Sequence, residues 1–125
     1  MFRLFLVVLV FGLRFAAALD LTHASIVSPQ NSSPQGQHAV RLLIEEVEKR
    51  TQLTLPSVHS APKSPSITIA NARNGAAEAY RLQVSGTGVT VTGNDARGVL
   101  FGIGRLLREM HLSPQSASIA DSLEI

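Results

Sequence analysis

The chain contains no cysteine, no tryptophan and one tyrosine among its 125 residues. Without cysteine there is no disulfide, no thiolate metal site and no thiol nucleophile. A domain without disulfides holds itself by packing alone, or by packing against a neighbour. Sugars and bases stack on aromatic platforms, so one tyrosine weakens a stand-alone carbohydrate- or nucleic-acid-binding reading. Catalytic signatures are missing as well. There is no G-x-S-x-G to mark a serine nucleophile and no H-E-x-x-H to mark zinc. The cations of the domain scatter between Arg41 and Arg108, with no basic cluster of the kind nucleic acid requires.

What is present starts at the N-terminus. Met1-Phe2-Arg3 is a short basic start, Leu4 to Leu13 is a ten-residue apolar run, and Ala16-Ala17-Ala18 supplies small residues for cleavage. This order predicts a signal peptide over residues 1–18 and a secreted or periplasmic product. The alternative is a retained anchor, but a spanning helix needs about 20 apolar residues. Cleavage would leave 19–125 as one domain of 107 residues, without a membrane segment. It would also remove Arg3 and Arg14, leaving nine cations against nine carboxylates. The net charge of +2 and pI near 9.7 thus come in part from the leader.

The remainder alternates in period. Ala24 to Ser28 predicts a short strand, and Pro29 to Gln37 a polar loop holding the glycosylation-type triplet Asn31-Ser32-Ser33. Val40, Leu43, Ile44 and Val47 form one apolar stripe and predict a helix over Gln37 to Arg50. On its polar side Glu45 and Lys49 have the spacing of an ion pair. Thr51 to Pro65 reads as a connection, with a short extended piece at Leu53 to Leu55. Strands are predicted at Ser66–Ala70, Tyr80–Val84 and Val89–Thr92, the last two joined by a turn at Ser85-Gly86-Thr87-Gly88. These joins are too short for crossovers, so part of the sheet is expected to be antiparallel. Asp95, or Asn94, is placed to cap a helix from Ala96 to Met110, with Val99, Ile103, Leu106, Leu107 and Met110 as its stripe. His111-Leu112-Ser113-Pro114 ends that helix, and Ser118 to Ile125 reads as a further strand. The expected fold class is α+β: a small mixed or antiparallel sheet with two amphipathic helices packed on one face.

Chemistry-bearing residues do not assemble. Glu45, Glu46 and Glu48 sit on a polar helix face, and Asp95 is explained as a cap. Glycosidic cleavage needs two facing carboxyl groups. His23, His38, His59 and His111 are dispersed, so no metal site is assigned. Gly98, Gly102 and Gly104 fall inside a helix, where each costs about 1 kcal/mol relative to alanine. Their spacing is not that of a phosphate loop. Close packing of the helix on the sheet, through Gly98 and Gly102, is the expected reason. No catalytic, cofactor-binding or metal residue and no cofactor is predicted.

Three pieces together resemble a known module. They are Glu78-Ala79-Tyr80-Arg81-Leu82-Gln83-Val84, Gly88-Val89-Thr90-Val91-Thr92-Gly93, and Asp95-Ala96-Arg97-Gly98-Val99-Leu100-Phe101-Gly102-Ile103 followed by Leu106-Leu107. They resemble the small N-terminal α/β domain that precedes the catalytic barrel in family 20 β-N-acetylhexosaminidases and family 67 α-glucuronidases. Phe101 stands where the family usually shows tyrosine, and Arg105 where hexosaminidases often carry threonine. The Asp-Ala-Arg-Gly wording leans toward the α-glucuronidase side. The resemblance covers about residues 22–125 and is sharp from Glu78 to Leu107. It implies a non-catalytic accessory domain whose partner is a barrel of some 250 residues, with any carbohydrate substrate belonging to the parent enzyme. A fragment or truncated chain of such a glycoside hydrolase is therefore expected. The alternative is a stand-alone secreted or periplasmic module that binds a glycan or a protein; a small hydrolase is a weaker third reading, for want of an acid/base pair.

Overall fold

A computed structural model describes residues 17–30, 32–60, 65–72 and 75–125. Most of the expected leader, and Asn31 of the glycosylation triplet, lie outside the described residues. The elements in order are β1 (Ala18–Asp20), β2 (Ser25–Val27), α1 (Pro34–Thr51), β3 (Ser57–Val58), β4 (Ser66–Asn71) and β5 (Tyr80–Ser85). Then follow β6 (Gly88–Gly93), α2 (Ala96–Glu109), β7 (His111–Ser113), β8 (Ser116–Ala120) and β9 (Leu123–Glu124). The class is α+β, as expected.

Helix α1 begins three residues before the predicted start, inside the stretch that composition reads as loop. Ser33 is the cap, its Oγ accepting from the Gly36 amide at 3.1 Å. Pro34 follows, where its missing N–H costs nothing and its fixed φ suits the first turn. Proline and glycine here open a helix rather than prevent one. The helix ends where Thr51 Oγ1 turns back to the Val47 carbonyl at 2.6 Å and Gln52 takes a left-handed φ of 63°. The Gln52 amide then reaches Glu48 O at 2.7 Å. On the outer face an ion pair forms between Glu46 and Arg50 at 3.4 Å, one residue on from the predicted Glu45–Lys49 pair.

Six strands form the larger sheet, in the order β3-β2-β4-β6-β5-β9. The β5–β6 hairpin is antiparallel, with Leu82 opposite Val91 and Val84 opposite Val89. The tight β4-to-β5 join misleads, however. β5 is not the neighbour of β4; β6 returns between them and runs parallel to β4, from Ser66 opposite Gly88 to Asn71 opposite Gly93. Only backbone with no side chain fits at one end of that pairing, since a Cβ on Gly88 would strike the Ser66 carbonyl. The extended piece expected at Leu53–Leu55 falls instead at β3, parallel to β2, and Leu55 is a core plug 2% exposed.

A second, three-stranded sheet (β1-β8-β7) was not foreseen. Its outer strands are three residues each, too short to show a period. Ala18, Leu19 and Asp20 of β1 pair with Ala120, Ile119 and Ser118 of β8. The predicted terminal strand is thus divided: β8 joins the small sheet, and β9 turns back to the larger one beside β5.

The core lies between sheet and helices. α2 lies on β4, β5 and β6, and α1 packs beside α2 and reaches β7 and β8. Leu43 and Val47 of α1, Ile103 and Leu106 of α2, and Ile67, Leu82, Val89 and Val91 of the sheet are buried together with Ile26 and Ile119. Each such side chain contributes about 1.5–3 kcal/mol by leaving water. The alternate residues Arg81, Gln83, Thr90 and Thr92 are exposed or half-exposed, as a sheet solvated on one face requires.

Candidate functional site

The residues that carry the resemblance converge on the start of α2. Asp95 caps the helix: its Oδ1 accepts from the Gly98 amide at 2.7 Å. Its Oδ2 accepts from the Glu78 amide at 2.9 Å, seventeen residues away in sequence. One carboxylate therefore closes a helix end and ties the entry of β5 to it. Glu78 has a left-handed φ of 64°, unfavourable for its side chain, and Asp95 holds the amide that this backbone presents. Arg97 completes the clasp by pairing with Glu78 at 2.8 Å. The Asn94 amide bonds Ala79 O at 3.0 Å and its side chain bonds Ala76 O at 2.9 Å. The Glu78 amide, then the Gly98 amide, hold the Asp95 carboxyl below its ordinary pKa; partial burial opposes them, and Arg97 assists more weakly. The pattern fits a structural carboxylate whose acceptor positions are filled by the backbone.

The glycines complete this end. A Cβ on Gly98 would strike the Ala79 carbonyl oxygen, and one on Gly102 would lie 2.5 Å from Val91 Cγ1. Both positions match the close approach predicted for them. Gly104 does not share that reason: a Cβ there would meet nothing within 4 Å among the described residues.

The other residues weighed for chemistry remain apart. Glu45, Glu46 and Glu48 stay on the outer face of α1, and the four histidines are exposed. His59 Nδ1 lies 3.2 Å from Ser28 O. Among the described residues no three His, Asp or Glu side chains gather in a metal-holding group, and no helix is long and apolar enough to cross a membrane.

One surface feature escaped the sequence reading. Leu100 and Phe101 are 37% and 46% exposed, the large hydrophobic side chains most open to water among the described residues. Leu100 borders a groove of about 340 Å³, mainly apolar, between the first turns of α1 and α2. Pro34, His38 and Ala96 line it with Leu100. The sequence carried the signal: Leu100 and Phe101 are apolar, yet fall outside the Val99–Ile103–Leu106 stripe.

A family model for glycosyl hydrolase family 20, domain 2, matches residues 14–122, and the chain belongs to that family. Solved structures agree in fold. The Streptomyces coelicolor A3(2) β-N-acetylhexosaminidase superposes with a TM-score of 0.68 at 21% identity, over 85% of this chain and 22% of that one. The Flavobacterium johnsoniae chitobiase gives 0.67 at 18% identity, over 87% of this chain and 18% of that one. A family 115 4-O-methyl-α-glucuronidase with specificity for decorated arabinogalactans gives 0.63 at 14% identity, over 82% and 17%. The resemblance read from Glu78 to Leu107 is thereby borne out. The chain spans only about a fifth of the length of the first of these enzymes, 22%. A comparison with curated proteins gives no match.

Proposed function

We propose that the chain is the accessory, non-catalytic domain of an exported glycoside hydrolase, and that it acts by packing on a catalytic barrel and stabilising it. The observation that carries this reading is the family 20 domain 2 match over residues 14–122. Support comes from the clasp: Glu78, Asp95, Arg97, Gly98 and Gly102 all hold α2 to the sheet, so the most distinctive residues act on the fold itself. The acid, base and substrate contacts would then belong to the barrel. The parent substrate class is a β-linked N-acetylhexosaminide, by analogy with the hexosaminidases that share the fold.

Purified residues 19–125 are expected to fold and to leave aryl N-acetylhexosaminides untouched. Hydrolysis above the buffer rate by a pure preparation would contradict the reading. Calorimetry against chito-oligosaccharides separates it from a stand-alone glycan-binding module: the accessory domain gives no heat of binding, the module does. Export rests on the basic start and apolar run ahead of Ala18. Mass spectrometry of the exported product should find Leu19 at its N-terminus. That cleavage preserves the Leu19–Ile119 and Asp20–Ser118 pairs of β1; a product still carrying Met1 would rule it out.

A further inference from the structure

We propose that the small sheet is a late-closing guard on leader cleavage: the peptide bond after Ala18 is open to a signal peptidase only until β8 pairs with β1, so processing must precede closure of that sheet. This rests on the export reading above. The cleavage predicted from the sequence falls inside β1, between Ala18 and Leu19. In the folded chain both sides of that bond are held. Ahead of it, Ala17 O accepts from the Asp121 amide at 3.0 Å, and Ala18 stands opposite Ala120. Behind it, the Leu21 amide donates to Ala117 O at 2.8 Å, and Thr22 Oγ1 accepts from the Ala117 amide at 3.2 Å. Ala17 and Leu21 thus occupy hydrogen-bonded positions of the ladder, and Leu19, two residues from each, is a third. The side chains hold as well: Leu21 is fully buried, and Leu19 packs against the core.

A peptidase that takes its substrate as an extended strand pairs the residues around the scissile bond with its own backbone. β1 already uses one edge on β8. It cannot lie in a peptidase cleft without drawing Leu19 and Leu21 out of the core. Cleavage of the folded chain therefore waits for an opened state, whose population sets the rate. The reaction is a hydrolysis. Water adds across the Ala18–Leu19 bond; the leader leaves with the Ala18 carboxylate, and Leu19 keeps the nitrogen as an α-ammonium. The mature domain loses the Ala17–Asp121 hydrogen bond and the Ala18–Ala120 pair. It keeps Leu19 opposite Ile119 and Asp20 opposite Ser118. Chain order supplies the delay. Thr22 and Ala117 meet in the fold but are 95 residues apart in sequence. At about 5–20 residues per second, β8 is synthesised about 5–20 s after β1. Until then β1 has no partner, since the neighbour it takes in the sheet is β8.

The test measures cleavage by a purified signal peptidase in detergent micelles, read by mass spectrometry. Three substrates are compared: the folded full chain, a peptide of residues 1–30, which lacks β8, and a folded full chain carrying Asp20→Cys and Ser118→Cys. Those two residues face each other at a non-hydrogen-bonded pair, where Cα atoms lie about 4.5 Å apart, within disulfide reach. The chain has no cysteine of its own, so the bridge has one possible form. The peptide is expected to be cut after Ala18. The folded chain should be cut more than about tenfold more slowly, because opening brings buried leucine into water. The oxidised double variant should stay intact, and reduction should restore cleavage. A folded chain cut as fast as the peptide would overturn the guard and leave the export reading standing, as would an oxidised variant cut as fast as its reduced form. A peptide left uncut would remove the export reading, and the guard with it.

Discussion

The two sides of α2 carry glycines for opposite reasons. On the sheet side, Gly98 and Gly102 stand where a Cβ would enter the Ala79 carbonyl or crowd Val91. On the outer side, near the half-exposed Phe101, a Cβ on Gly104 would meet nothing within 4 Å among the described residues. One helix thus shows what a filled close approach looks like and what an unfilled one looks like. The contrast teaches that a helix glycine is informative only once its surroundings are known. The same residue type marks a close contact on one side and none among the described residues on the other.

The comparison can be broken most severely at Gly98. Gly98→Ala places a methyl against backbone, which cannot rotate away, so a loss of about 3 kcal/mol is expected, at the upper end of overpacking effects; urea unfolding measures it. Next comes the clasp. Asp95→Ala removes the acceptor for both the Gly98 and the Glu78 amide and should lower the melting temperature by several degrees, read by circular dichroism. The clasp is also pH-dependent. The Asp95 pKa is lowered in the folded state, so its contribution is present above the unfolded value and disappears as pH falls through the folded one. The stability gap between wild type and Asp95→Asn should therefore narrow below pH of about 4. A gap that widens on acidification would show that the carboxylate is not held as described. Gly102→Ala is milder: its nearest obstacle, 2.5 Å from the added carbon, is Val91 Cγ1, a side-chain atom rather than backbone, but Val91 is buried and stiff, so a net loss of about 1–2 kcal/mol is expected. Gly104→Ala closes the series with the opposite sign, a gain of about 0.5–1 kcal/mol from helix propensity alone.

Much of this was legible in the sequence where local periodicity and tertiary packing agree. The Val99–Ile103–Leu106 stripe, the Tyr80–Thr92 hairpin and the Asp95 cap all sit where their patterns place them. Three features were not legible. The start of α1 was hidden because Pro34 and Gly36 resemble loop residues until Ser33 is seen to cap. The insertion of β6 between β4 and β5 is a long-range choice, and short joins favour the wrong neighbour. The small sheet depends on strands of three residues at the two ends of the chain. The second partner of Asp95 was invisible for a related reason: Glu78 lies seventeen residues away and meets it only after the hairpin forms. The exposed Leu100 and Phe101 were present in the pattern as apolar residues off the stripe. Their exposure required knowing that, among the described residues, no other element covers those two side chains.

The most direct test of the central claim, that the Glu78–Met110 region is a scaffold built around α2, is urea unfolding of Gly98→Ala beside Gly104→Ala in the same chain. The account predicts opposite signs: Gly98→Ala unfolds at markedly lower urea and Gly104→Ala at slightly higher urea than wild type. Two variants shifted in the same direction, or a Gly98→Ala chain as stable as wild type, would contradict it.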